Sequence, residues 1–329
     1  PRRAGQKIGI DANRPINPRT GRIEAQVADP EVIASTGAGW VRLNFVLRPW
    51  ASLDDDVPYA GRSWEESYAQ IISGFRDRGL QIYGLVGVES MAQGPGDRLR
   101  KGPAHGDAKE AWVEQYVEQF LSIVELFHES VHVFESFNEP DDWHGRDLNW
   151  VHPGWFAIML QRIYIAVRSD PALDNVKLVS GPLQGLDANR NAAAAYLEHT
   201  YQAGKRWFGW GQDGIPFPFD GVGYHLYVKS GFNPNKSQQE RAIRRTLRQY
   251  LQTMHQVIRS QEGGNRPLYV SEMGWNSRVE PREIQRREEF QAHCLKVGLD
   301  TVCSDPLVEL GVWFCTQDFG IPGREASYG

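Results

Sequence analysis

The chain has 329 residues and only three cysteines, Cys294, Cys303 and Cys315. That is too few for a disulfide framework, and their spacing fits no CxxC-type metal site. A Cys294–Cys303 bridge stays open; otherwise the thiols are expected as small buried hydrophobes. There is no surplus of positive charge. Lys and Arg number 36 against 41 Asp and Glu, for a net charge of −5, so no nucleic-acid partner is expected. No apolar run reaches the roughly 20 residues of a membrane span, and mean hydropathy is −0.49, so no membrane insertion is expected. A GxSxG elbow is missing, no Ser/His/Asp set emerges, and no glycine-rich phosphate loop is found, which argues against an esterase and against a nucleotide cofactor. His144 and His152 share one stretch without a third ligand at useful spacing, so no metal is expected. The opening residues, PRRAGQKIGI, lack the apolar core of a signal peptide and an initiator Met. Any such signal is expected to be gone already, and a secreted location is left open.

What the chain does have is alternation. Eight short apolar segments stand out: Lys7–Ile10, Trp40–Phe45, Gln81–Val86, Val131–Asn138, Val176–Gly181, Asp220–Tyr227, Pro267–Glu272 and Gly311–Cys315. Seven longer helical patterns separate them. Strict strand–helix alternation predicts a parallel sheet, and eight units favour closure into a (β/α)8 barrel, an α/β fold, over residues 1–329 as one domain. Helix signals agree. Asp29 precedes Pro30, Ser63 and Glu66 form a capping box, and Ser237 with Glu240 reads as another. The chain stops at Gly329 soon after the eighth strand, so the eighth helix is expected to be absent or truncated. Loops after helices are short, whereas loops after strands are long and rich in Pro, Gly, Asp and Trp. In such a barrel the chemistry lies where strands end.

At those ends sit polar and aromatic residues that are poor choices for structure alone: Asp11 and Asn13; Arg42 and Asn44; Glu89; Asn138 and Glu139 in FESFNEP; His225 and Tyr227 in GYHLY; Glu272 and Trp275 in YVSEMGW; Trp313 in VWFC. Glu135 alternates to the side of Glu139 and is read as a buried acid holding Arg42 or His225. Two carboxylates flanking one bond are what glycoside hydrolysis needs. The 11 Trp would suit stacking on sugar rings, or the core.

This pattern resembles the clan A glycoside hydrolases, families 5 and 39 above all. FNEP is similar to the signature that carries the acid/base, here Glu139. The glutamate in SEMGW, Glu272, matches the nucleophile, and Arg42 the arginine that pairs with it. HLY matches the His-x-Tyr of strand six, and Trp313 the tryptophan under the catalytic sugar. One departure is the segment after strand three, GLVGVESM, which lacks family 5's histidine. The resemblance implies a retaining hydrolase of β-linked poly- or oligosaccharide, with a carbohydrate as its partner, without a cofactor, and acting as a monomer. Asn138 is expected on the sugar 2-hydroxyl. Trp50, Trp64, Trp143 and Trp150 on the loops favour an open groove and endo action. An exo-acting β-glycosidase, a transglycosylase with the same site and a non-catalytic carbohydrate-binding barrel are the alternatives.

Overall fold

The computed structural model describes residues 7–16, 29–47, 61–91, 99–103, 107–142, 150–186, 190–228, 233, 235–275 and 284–315. Eight parallel strands close into a barrel in chain order: β1 (Ile8–Asp11), β2 (Trp40–Asn44), β3 (Gln81–Val86), β4 (Val133–Ser136), β5 (Lys177–Leu186), β6 (Gly221–Tyr227), β7 (Leu268–Met273) and β8 (Val308–Trp313). Pairing of Gly9 with Val312 joins the last strand to the first. Between the strands run α1 (Pro30–Ser35), α2 (Trp64–Arg76), α3 (Asp107–Phe127), α4 (Pro153–Ser169), α5 (Arg190–Phe208), α6 (Lys236–Glu262) and α7 (Ile284–Cys303). These are the seven α-helices among the described residues. Residues 316–329, where an eighth would fall, lie outside them.

Local chemistry explains most boundaries. Asp29 caps α1 by accepting from the backbone N–H groups of Glu31 and Val32, and the Ser63–Glu66 box opens α2. The expected Ser237–Glu240 box does not form. Instead α6 starts earlier, because Asn235 accepts from the Gln238 N–H, and Glu240 pairs with Arg244. Asparagine is at least as good an N-cap as serine, so the upstream residue takes the position. Trp112, Tyr116, Phe120, Ile123 and Phe127 of α3 are all buried, as their spacing predicts. The three cysteines are free. Burial pushes the Cys294 thiol up to about 12 and that of Cys303 up to about 11, so both stay protonated.

Two strand boundaries differ from expectation by three residues or more. β5 continues to Leu186 rather than stopping at Gly181, and β8 begins at Val308 rather than Gly311. In β5 the misleading residue is Pro182. It falls where the register against β6 shifts, between Ser180 and Leu183, and a bulge is one of the few places inside a sheet that tolerate proline.

The barrel interior is layered. Trp40, Tyr83, Val133, Val179, Tyr269, Leu310 and Val312 fill the lower part as an apolar plug. Above it the lining turns polar, with Asp11, Arg42, Glu135, His225, Ser271 and Glu272 all buried. β7 breaks its alternation at this level. Gly223 pairs with Tyr269 and His225 with Glu272, so two steps along β6 match three along β7. The extra residue is a bulge. Ser271 and Glu272, neighbours that a regular strand would send to opposite faces, therefore both reach interior groups, Glu135 and Arg42.

Candidate active site

Arg42 is the hub of the polar layer. Its Nη1 donates to Asp11 Oδ2 and to Glu272 Oε1, each at 2.7 Å. Its Nε and Nη2 donate to Glu135 Oε2 at 3.2 and 2.9 Å, and Nη2 also reaches Asn138 Oδ1 at 3.3 Å. Glu135 is fully buried and accepts further bonds from the Tyr83 hydroxyl and Ser271 Oγ. It orients the arginine, as its place two pleats before Asn138 and Glu139 suggests. Room for its carboxylate exists because β6 carries Gly223 opposite. A Cβ there would lie 2.6 Å from Glu135 Oε1. Asp11 is raised from 3.8 to about 6, since burial and the nearby Glu272 charge outweigh the help it draws from Arg42.

The two glutamates of interest have different surroundings. Glu272 is held at Oε1 by Arg42 and at Oε2 by the Tyr227 hydroxyl, 2.7 Å away. Among the described residues no arginine hydrogen-bonds to Glu139. Its Oε1 accepts from His225 Nδ1 at 2.7 Å and its Oε2 from Gln184 Nε2 at 2.6 Å. The residue stands at the exit of β4 with φ 47°, and Phe137 two residues earlier has φ 72°. Both lie in the left-handed region, which costs a non-glycine residue on the order of 1–3 kcal/mol. The backbone is thus turned against its own preference where it presents the carboxylate.

Burial pushes the Glu139 carboxyl up, but the His225 hydrogen bond and charge, with Gln184 and Arg42, outweigh it and leave it below the usual range. Burial pushes His225 down, while the charge of Glu272 and the bond to Glu139 more than compensate, leaving it above its ordinary value. His225 Nε2 lies 3.4 Å from Glu272 Oε1. The imidazole therefore stands between the two carboxylates, hydrogen-bonded to Glu139.

Several residues of this site escaped the sequence reading. Gln184 lies in the part of β5 beyond Pro182. Asp141 follows Glu139 by two residues, and both its oxygens accept from the Gln184 backbone N–H at 3.1 Å. Burial pushes its carboxyl up from 3.8 to about 7. Asp141 and Gln184 also line a cavity of about 590 Å³, together with Trp150, His152, Tyr196 and Trp207. Neither glutamate lines it, and it meets Glu139 through Gln184.

The tryptophans require corrections. Trp313 is buried and stacks on Trp275, with ring centroids 6.2 Å apart and an interplanar angle of 18°. The Trp275 ring in turn approaches α7, where a Cβ on Gly298 would lie 2.7 Å from it. Neither faces the barrel mouth. Leu310 and Val312 point inward, so alternation sends Trp313 out and brings Phe314 in. Phe314 meets the Tyr227 ring edge-on, with centroids 6.2 Å apart. A regular two-residue count along β8 would have chosen it. Trp64, expected on a subsite wall, is fully buried at the start of α2 and donates to Val46 O. Trp50, Trp143 and His144 lie outside the described residues. His152 caps α4, accepting from the Gly154 N–H. Asn44 is buried beside Asn138 on the inner face of β2.

Oxygens of Glu139 and Glu272 and a ring nitrogen of His225 all lie within 4.8 Å of one another. The three donors could surround a metal ion, but a cation there would have to displace or withstand the Arg42 guanidinium on Glu272. Protein groups already bond to both carboxylates, Arg42 and Tyr227 to Glu272 and His225 and Gln184 to Glu139.

No family model matches the sequence, and no curated protein does. Solved structures do. A GH5-4 broad specificity endoglucanase from an uncultured bacterium is similar over 94% of this chain and 87% of its own, with 13% identity and a TM-score of 0.61. Aphid myrosinase is similar over 100% and 93%, with 11% identity and a TM-score of 0.60. The AHE enzyme from Alicyclobacillus herbarius is similar over 95% and 88%, with 15% identity and a TM-score of 0.57. At these identities the likeness is one of fold.

Proposed function

We propose that this protein is a retaining glycoside hydrolase of the clan A type, acting on β-linked poly- or oligosaccharide. The observation that carries the reading is the spacing and unequal setting of two carboxylates. Oxygens of Glu139 and Glu272 approach within 4.8 Å. Retaining pairs stand about 5–5.5 Å apart, whereas inverting pairs need about 6.5–9.5 Å to admit a water. The endoglucanase of similar fold agrees with this reading.

In the first step Glu139, carrying the proton it shares with His225, protonates the glycosidic oxygen. The C1–O bond breaks as Glu272 bonds to C1, giving a glycosyl-enzyme and a released alcohol. In the second step Glu139 takes a proton from water, the water oxygen bonds to C1, and Glu272 departs as a carboxylate. Arg42 and Tyr227 hold the Glu272 carboxylate and aim it. Asn138, with its Oδ1 turned to Arg42, has its amide N–H to offer the sugar 2-hydroxyl. Phe314 takes the role of aromatic floor that the sequence suggested for Trp313. The cavity beside Gln184 takes the leaving group, and its size favours cleavage within a chain.

A reducing-sugar screen over polysaccharides and aryl glycosides tests this, with Glu272→Ala as control. Activity that survives in the control rejects the reading. Proton NMR of the first-formed anomer decides retention.

A further inference from the structure

Gln184 reaches Glu139 because β5 is irregular. Between Ser180 and Leu183 the register against β6 shifts, so three steps along β5 match two along β6. A regular ladder would set Leu183 opposite His225; the extra residue sets Gln184 there instead. Close packing holds the irregular stretch in place, since a Cβ on Gly181 would run into Ser136 O on β4. Side by side in the ladder, Gln184 and His225 grip the two oxygens of one carboxylate. His225 Nδ1 meets Glu139 Oε1 at 2.7 Å, and Gln184 Nε2 donates to Oε2 at 2.6 Å. Gln184 Oε1 meets no donor among the described residues, so within that set the bond to Glu139 is what the amide makes.

The backbone of Gln184 is held separately. Its N–H is shared by both oxygens of Asp141, at 3.1 Å each. β5 thus grips the chain after β4 twice, with a side chain at Glu139 and a backbone group at Asp141. Glu139 has φ 47°, a conformation that persists only where its surroundings enforce it. Charged and titratable groups face Glu139 from several elements: Arg42 on β2, Asp141 on its own loop, His225 and Tyr227 on β6 and Glu272 on β7. Gln184 is the neutral donor in this set. A donor to the charged form of a carboxyl favours that form.

We propose that Gln184 is a positioning residue for the acid/base: it aims Glu139 and favours its anionic form, while Asp141 anchors it through the backbone. The inference rests on the glycosidase reading and deepens it. Glu139 must give up a proton in the first step and act as a base in the second, and the Gln184 donor favours the ionised state in both.

The test is Gln184→Met, which keeps the length of the side chain and removes the donor, with melting curves to verify folding. The alkaline limb of kcat/KM should move to higher pH by about 1 to 2 units, the worth of a hydrogen bond to a charged group. For a glycoside with an alkyl or sugar leaving group, which needs the aimed acid, kcat/KM should fall about 10- to 100-fold. For an activated aryl glycoside, which needs no proton, it should stay within about 2-fold. A purely structural role would lower both substrates alike and leave the limb in place. A further readout needs no turnover. The carboxyl carbon resonance of isotope-labelled Glu139, identified by its loss in Glu139→Gln, should titrate about 1 to 2 units higher in Gln184→Met than in the wild type. That result stands whether or not the chain hydrolyses glycosides, whereas failure of the glycosidase reading shows as a wild type without turnover. If Gln184→Met melts early, Gln184→Glu, of nearly the same shape as the wild type, carries the comparison. A carboxyl beside Glu139 removes the permanent donor and raises the titration of the pair in the same direction. An unmoved Glu139 titration in a folded variant, or equal losses on the two substrates, would overturn the proposal.

Discussion

Tyr227 on β6 donates its phenolic hydrogen to Oε2 of Glu272 on β7, across 2.7 Å. Burial and the Glu272 charge push the phenol well above its ordinary value, so it remains a donor through any working pH. Tyr227→Phe should keep the ring and lose the bond. A hydrogen bond to a charged group is worth about 1.5–3 kcal/mol, which predicts a fall in kcat/KM of about 10- to 100-fold. A smaller effect on the melting temperature than on rate would distinguish aiming from packing.

Arg42→Lys should be severe although the charge is kept. An ammonium cannot span Asp11, Glu135 and Glu272 at once, and Glu135 is fully buried. Breaking a buried pair destabilises by about 3–5 kcal/mol. Denaturant unfolding checks this value, and near-normal stability with near-normal activity would remove Arg42 from the hub.

Glu272→Ala and Glu139→Ala should fail differently. Glu139→Ala should still react with aryl glycosides whose leaving group needs no proton, and azide should accelerate it by taking the place of the activated water. Glu272→Ala should show neither effect. Identical behaviour of the two would reverse or dissolve the assigned roles.

The alkaline limb of the rate profile should report His225. On the proposed mechanism the acid-competent proton is held jointly by His225 and Glu139 in the wild type and leaves as pH rises through the raised value of the imidazole. In His225→Asn the proton sits on Glu139 alone and leaves in the carboxylic-acid range. The limb should therefore move to lower pH. An unmoved limb would show that the proton is not shared.

Asp141 supplies a stability test. Its folded value of about 7 lies above the 3.8 of an ordinary aspartate. The unfolded chain releases its proton first, so stability is lost as pH rises from about 4 to 7. Asp141→Asn keeps an acceptor for the Gln184 N–H and cannot ionise. Its melting temperature should match the wild type near pH 4 and exceed it near pH 8, and a constant difference would refute the shift.

Much of this was legible in the sequence because barrels report their active sites at strand ends. Arg42, Glu139, His225, Tyr227 and Glu272 could be placed by strand order alone, and Glu135 by counting pleats. The reading faltered where local rules compete. Pro182 reads as a stop but sits in a bulge, which hid Gln184. Trp313 carries the larger aromatic, yet the pleat of β8 turns Phe314 inward. Asp141 with Gln184, and Glu89 with Arg14, pair across distant segments, and no periodicity along the chain records those contacts.

The extra residue in β7 works as a phase shift. Before it, inward and outward positions alternate; after it, the parity is reversed. A saturation scan of the strand should therefore lack the usual alternating tolerance at this point. Ser271 and Glu272 should be intolerant of bulky apolar residues back to back, since both reach into the barrel. Deleting Ser271 would restore two-against-two pairing with β6, keep Glu272 facing inward and remove the Ser271 bond to Glu135. In this strand the count of residues matters as much as their kind.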